Sequence, residues 1–339
     1  MSGSSNVGVH IEHCHDEDPQ ELAAFEAKIT AGQLIEADDW MPQGYRGGML
    51  KMAEHHANSE IVGALPEGEW ITRAPSLRRK LALTAKVQDE VGHGQMLYRV
   101  SQDLGKTRDD MLRDLITGKT KYHNVFNYPA PTWGDIAMIQ WLIDGAAIMN
   151  QKTLADGAYG PYVRTMRRIN MEEAFHFKSG EDMVLTLMSG TKQQRQLCQE
   201  AFDRWWYPAL MFFGPPDKPG AEQLPPMRWR MKTERNDSLR QRFANRFAPA
   251  ALDLGMKINV VEKDEDGMVT GRRPDPKLRC NGNGDWEFTE PDWEEFYRVI
   301  RGGGPCNRKR LALRWLSYEQ GRWVRSAILH GSAALPPAA

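Results

Sequence analysis

Cysteine is scarce in this chain. Only 4 of 339 residues are Cys, at positions 14, 198, 280 and 306, and no two form a Cys-x-x-Cys pair. That excludes a thiolate zinc knuckle or an iron–sulfur cluster held by this chain, and it predicts a reduced, cytoplasmic protein. Long apolar runs and a signal-peptide pattern are also missing, so no membrane partner is expected. Neither sign of charge dominates: 44 Lys and Arg stand against 45 Asp and Glu. A nucleic-acid partner is therefore not expected. No Gly-x-x-x-x-Gly-Lys-Ser/Thr motif occurs, and Gly302-Gly303-Gly304 follows no clear strand, so nucleotide-loop readings fail.

What is present is length and helical patterning. A chain that is 41% hydrophobic and 26% charged can bury one large core and a smaller one. Residues 1–19 are polar, carry His10, His13, Cys14 and His15, and read as a disordered tail. Residues 20–214 read as a run of helices. Residues 215–227 hold Pro215, Pro216, Pro219, Pro225 and Pro226 and read as a linker. Residues 228–339 read as a mixed, mostly helical extension. Its basic stretch contains Arg228, Arg230, Lys232, Arg235, Arg240, Arg242 and Arg246, and strand candidates lie at 257–262 and 286–288. A helix at 292–300 and a last one at 307–329 complete it.

Within the helical run, apolar spacing predicts helices at 20–31, 45–64, 75–104, 109–116, 132–155, 162–188 and 192–213. Pro66-Glu67-Gly68 should end the second and Pro75 begin the third. Thr132 and Asp135 form a capping-box pattern at the start of the 132–155 helix. That helix is apolar on most of its circumference, which places it mid-bundle. Asp144 interrupts its apolar surface. The connection at 121–129 and the aromatic cluster at 205–213 can each line a pocket or simply fill a core. Together with the 136–149 run, the aromatic cluster offers more apolar surface than one bundle needs, and so suggests a partner.

Two Glu-x-x-His pairs lie on these helices: Glu90 with His93, and Glu173 with His176. Residues three apart on a helix share a face, so each pair can address one ion. Glu60 precedes the first pair and Asp144 the second at nearly the same interval. A bundle that holds two ions takes a Glu-x-x-His from each of two helices and a carboxylate from each of two more. A third pair, Glu12 and His15, falls in the polar tail and lacks hydrophobic support. Buried carboxylates are costly unless paired or metal-bound.

Two imidazoles with four carboxylates suit iron or manganese, and an iron pair in this setting handles dioxygen. The expected division is Glu60, Glu90 and His93 to one ion and Asp144, Glu173 and His176 to the other, with Glu90 and Glu173 bridging. Lys86 sits one turn before Glu90 and either donates to the cluster or is an ordinary surface lysine. Asp89, Gln140 and Glu172 have weaker claims to support the site.

The stretches 56–63, 65–75, 86–94, 141–147 and 172–176 resemble the catalytic A subunits of phenylacetyl-coenzyme A epoxidases. The stretches 290–299 and 304–307 do so as well, and the resemblance covers about residues 20–330. It implies an all-α, ferritin-like bundle holding two non-haem irons at Glu60, Glu90, His93, Asp144, Glu173 and His176, with Lys86 beside them. It implies epoxidation of the ring of phenylacetyl-CoA by dioxygen in aerobic phenylacetate breakdown. Partners would be a homologous, catalytically silent C subunit, one small B subunit, and a reductase that carries FAD and a [2Fe–2S] cluster and draws on NADPH. Two rival readings stay open: another ferritin-like di-iron oxidase or oxygenase, and a non-catalytic assembly subunit.

Overall fold

The computed structural model describes residues 18–264 and 269–322. The N-terminal tail, with His10, His13, Cys14 and His15, lies outside the described residues, as does the chain beyond 322.

The chain is a helical, ferritin-like bundle. Its elements are α1 (Pro19–Thr30), α2 (Gln43–Gly68), α3 (Leu77–Asp103), α4 (Arg108–Ile116), α5 (Trp133–Met138), α6 (Asp144–Ala155), α7 (Gly160–Met188) and α8 (Lys192–Leu210). Further along come α9 (Pro225–Arg228), α10 (Asn236–Asp253), α11 (Trp293–Arg298) and α12 (Asn307–Gln320). Strand β1 (Asn259–Lys263) pairs antiparallel with β2 (Val269–Pro274), and β3 (Arg279–Cys280) with β4 (Trp286–Glu287). Among the described residues no helix is long and apolar enough to cross a membrane.

Helix starts follow local chemistry. Asp18 caps α1 through Gln20 N, and Ser76 caps α3 through Arg79 N, so α3 begins after Pro75 rather than on it. Thr132 and Asp135 close the expected capping box on α5. Asp135 is wholly buried and also accepts from Arg204 Nε at 2.8 Å and Trp205 Nε1 at 3.0 Å, which fastens α8 to α5.

Two departures from the sequence reading matter for the site. First, α2 does not stop before Pro66 but continues through it to Gly68. Proline in a last turn forfeits a single hydrogen bond, which buried neighbours can compensate. Second, the helix expected over 132–155 is interrupted by a π-helical turn, Ile139–Ile143, between α5 and α6. Such wide turns collect at functional sites. Here the turn ends immediately before Asp144. It also meets α7 at Gly180, where a Cβ would lie 2.4 Å from Gln140 C and 2.5 Å from Trp141 N. Backbone cannot yield as a flexible side chain can. Gly180→Ala is therefore expected to destabilise the fold by about 1–3 kcal/mol. Urea unfolding measures it, and an unchanged midpoint would contradict the close approach.

Two apolar clusters sandwich a polar layer. One gathers α5, α6, α8 and α10 around Leu142, Phe202, Trp206 and Phe247; the other gathers α1 and parts of α2, α3 and α7 around Phe25, Tyr45, Leu97 and Met166. On α3, Leu83 belongs to the first cluster and Leu97 to the second, with Glu90 and His93 between them. On α7, Met183 and Ile169 bracket Glu173 and His176 in the same way. Gly94 lets α3 approach α2, since a Cβ there would meet Ile61 at 2.6 Å, while Gly92 faces open space.

The apolar run 136–149 does not supply a partner surface, because α8 and α10 cover it within the chain. Trp205 and Trp206 are core residues as well. Exposed apolar side chains stand elsewhere, on α3 and α7: Leu77 is 71% exposed, Leu81 63% and Met171 69%.

Candidate metal centre

Four helices bring all six sequence-predicted ligands to the buried polar layer: Glu60 from α2, Glu90 and His93 from α3, Asp144 from α6, and Glu173 and His176 from α7. Donor atoms of Glu60, Glu90, His93 and Glu173 lie within 4.8 Å of one another, and so do those of Asp144, Glu173 and His176.

The two imidazoles face each other across the layer with ring centroids 6.0 Å apart. Glu90 reaches both, Oε2 lying 3.6 Å from His93 Nδ1 and Oε1 lying 3.5 Å from His176 Nδ1. Glu173 reaches both from the other side, at 3.5 Å and 3.3 Å. Glu60 stands only on the His93 side, at 3.8 Å, and Asp144 groups with His176. This is the division that a pair of ions with two bridging carboxylates requires.

The outer face of each ring is held in a crossed pattern. His93 Nε2 lies 2.9 Å from Glu172 Oε2, and His176 Nε2 lies 3.1 Å from Asp89 Oδ2. Each supporting carboxylate immediately precedes the bridging Glu on the opposite helix. A carboxylate can only accept, so both Nε2 atoms carry hydrogen and both Nδ1 atoms aim inward. Asp89 and Glu172, weak candidates from sequence, thus fix the tautomers.

Lys86 is not a surface lysine. Its side chain is 2% exposed, with Nζ 2.9 Å from Glu67 Oε2 and 3.1 Å from Asp144 Oδ2, and it donates to Glu90 Oε1. Gln140, on the π-helical turn, donates to Glu67 Oε1 at 3.2 Å. Glu67 escapes the sequence reading, which ends α2 at Pro66. Its signal is nonetheless present, two turns beyond Glu60 on the same face. His56 escapes it too, although it lies one turn before Glu60: its Nε2 is 2.8 Å from Glu60 Oε1, and its Nδ1 is 2.8 Å from Tyr162 OH. Nothing in the sequence marks Tyr162, whose hydroxyl meets the site through His56.

Among the described residues, buried carboxylates in this layer outnumber its one ammonium, Lys86. Burial pushes Glu60 and Asp144 above the usual carboxylate range, with Glu90 adding to the rise at Glu60. Burial opposes ionisation of Glu90 too, but Lys86 and the imidazoles hold it well below that range. Burial is likewise the largest influence on both imidazoles and pulls them down. The carboxylates outweigh it, raising His93 far above its ordinary value and His176 to about 9. His93 Nδ1 is buried and has no hydrogen-bond partner among the described residues. An inward, unpartnered imidazole nitrogen surrounded by carboxylate oxygens fits iron or manganese.

A cavity of about 230 Å³ opens beside the layer. Glu60, Glu90, Asp144 and Glu173 form one wall, and Ile143, Ala147, Leu154, Phe126, Phe212 and Phe213 supply apolar walls. Two stretches that are ambiguous in the sequence therefore contribute to it, the 121–129 connection through His123 and Phe126, and the aromatic cluster through its last two residues. Of the basic residues in 228–246 and 308–314, only Lys232 lines it.

Buried layers of carboxylates and imidazoles recur across ferritin-like proteins, so comparison with known sequences decides the family. The phenylacetic acid catabolic protein family matches residues 17–323. The chain belongs to this family. Its likeness to one member is close: it is 44% identical over 306 residues to the A subunit of 1,2-phenylacetyl-CoA epoxidase from Escherichia coli (strain K12). The alignment covers 90% of this chain and 94% of that relative. All six carboxylate and imidazole positions, and Lys86 with them, fall within the span matched by the phenylacetic acid catabolic family.

Proposed function

We propose that this chain is the oxygen-activating component of a phenylacetyl-CoA epoxidase and holds two non-haem irons. Glu60, Glu90 and His93 would bind one ion, Asp144, Glu173 and His176 the other, with Glu90 and Glu173 bridging. The observation that carries the reading is two inward imidazole nitrogens, each within reach of the same two buried carboxylates, beside an apolar cavity. The relative named above supports the substrate.

An iron pair held there supplies reduction of dioxygen and transfer of one oxygen atom to an aromatic ring. The chain's own residues orient and shield. Glu172 and Asp89 keep both Nδ1 atoms aimed inward, and Lys86 keeps Glu90 ionised while neutralising charge on Glu67 and Asp144. The phenylalanines of the cavity exclude water and give the substrate ring an apolar seat.

Electrons must come from outside, because the sequence holds no cysteine cluster or dinucleotide motif. We assign their delivery to a separate NADPH-dependent reductase carrying FAD and [2Fe–2S]. The proposed complex, in the cytoplasm, is completed by a small B subunit together with a homologous C subunit. The exposed Leu77 and Leu81 on α3 and Met171 on α7 are candidate contacts for a protein partner.

The test is turnover by the reconstituted complex with NADPH and labelled dioxygen, comparing phenylacetyl-CoA with free phenylacetate. The expected product is the thioester with one labelled oxygen. Free acid should react poorly, since binding energy from the coenzyme A handle orients the ring. Equal turnover of the acid would defeat the handle argument. Product oxygen from water, with exchange controlled, would rule out the monooxygenase reading.

A further inference from the structure

The apolar cavity beside the carboxylates contains one cation that the metal centre does not use. Lys232 lines it together with Asn236, and both are partly buried, whereas the carboxylates that line it are buried.

Four neighbouring basic residues are committed to carboxylates, while Arg230 donates to the Asp156 carbonyl and Arg246 lies over the rings of Phe177 and Phe247. Arg228 pairs with Glu26, Arg235 with Glu222, Arg240 with Asp237 and Arg242 with Glu234. Lys232 differs. Its Nζ donates to Asn236 Oδ1 at 2.6 Å, and among the described residues no carboxylate is in ion-pair contact with it. Burial pulls its ammonium below the ordinary lysine value, and Asp217, Asp237 and Glu234 offset this only from a distance. An ammonium has three donors. With one given to Asn236, a partly dehydrated cation has donors to spare beside an apolar space.

The size of that space limits the ligand group it meets. A cavity of ~150 Å³ accommodates benzene, so about 230 Å³ takes a phenyl ring and the few atoms that follow it, and no nucleotide. Beyond the ring of a phenylacetyl thioester, the first strong acceptor is the acyl carbonyl. We infer that Lys232, held by Asn236, is a substrate-positioning residue that donates a hydrogen bond to the carbonyl oxygen of the aryl-acetyl thioester. The inference rests on the thioester reading above and extends it to one atom of the substrate.

Binding without turnover tests it. The purified protein, kept free of reductant, is titrated with phenylacetyl-CoA and with S-(2-phenylethyl)-CoA, a thioether in which a methylene replaces the carbonyl. Wild-type protein is expected to prefer the thioester by about tenfold, the scale of a hydrogen bond from a charged donor. Lys232→Met should bind both ligands alike, at the wild-type affinity for the thioether. Lys232→Gln, neutral and shorter, should lose the preference too and guards against a folding defect peculiar to the Met variant. In turnover, the loss should appear mainly in KM and in NADPH consumed per epoxide formed. A preference that survives in both variants, or is absent from wild type, overturns the assignment. A wild-type protein that binds neither ligand overturns the thioester reading, and this subsite with it.

Discussion

Glu173→Ala protein is expected to hold fewer than two irons per chain and to lose more than about 100-fold in activity. The reason lies in reach. Among the described residues only Glu90 and Glu173 reach both inward imidazole nitrogens, Glu173 at 3.5 Å and 3.3 Å. Removing a carboxylate that would span two ions should cost more than removing an outer partner, for which 10–100-fold losses in affinity or activity are typical. Glu173→Gln preserves volume and separates loss of charge from loss of packing. Glu181→Ala, on the exposed side of the same helix, is the control and should keep both irons. Metal analysis of the purified proteins decides the matter. Two irons retained in both Glu173 variants would sink the ligand assignment.

The legibility of this site in the sequence follows from helical geometry. A three-residue spacing on a helix fixes direction, so Glu90 with His93 and Glu173 with His176 can be read as converging pairs before any fold is known. Glu60 and Asp144 follow from the repeated interval. The fold class is legible for the same reason, since apolar stripes of helical period dominate residues 20–213.

What escapes depends on long-range packing. Glu67 is hidden by the ordinary rule that Pro-Glu-Gly ends a helix. Packing carries α2 through Pro66, and the added turn places Glu67 2.9 Å from Lys86. The π-helical turn before Asp144 is equally invisible, because the space it occupies depends on a distant residue, Gly180 of α7, against which its backbone packs. The apolar run 136–149 misleads about exposure, since nothing local reveals that α8 and α10 cover it. Lys232 is one basic residue among many until the structure shows which of them lines the cavity.

Lys86→Met is expected to destabilise the metal-free protein by roughly 3–5 kcal/mol near neutral pH, the scale for removing one partner from a buried ion pair. Lys86 is 2% exposed and meets Glu67, Glu90 and Asp144, so its loss strands three buried carboxylates. The pH dependence gives the test its sign. Even in the wild type, burial holds Glu67 and Asp144 above their ordinary values, with Lys86 working in the opposite direction. Without the ammonium these values rise further, and Glu90 loses the main charge that holds it low. A carboxylate with a raised folded pKa binds more protons folded than unfolded, so its contribution to stability falls as pH rises from the unfolded to the folded value. The variant should therefore lose stability relative to wild type between mildly acidic and neutral pH, and the gap should narrow as the solution is acidified and the carboxylates become neutral. Urea unfolding of both metal-free proteins across that range measures the gap directly. A deficit that stayed constant with pH would mean that Lys86 acts through its packing rather than its charge.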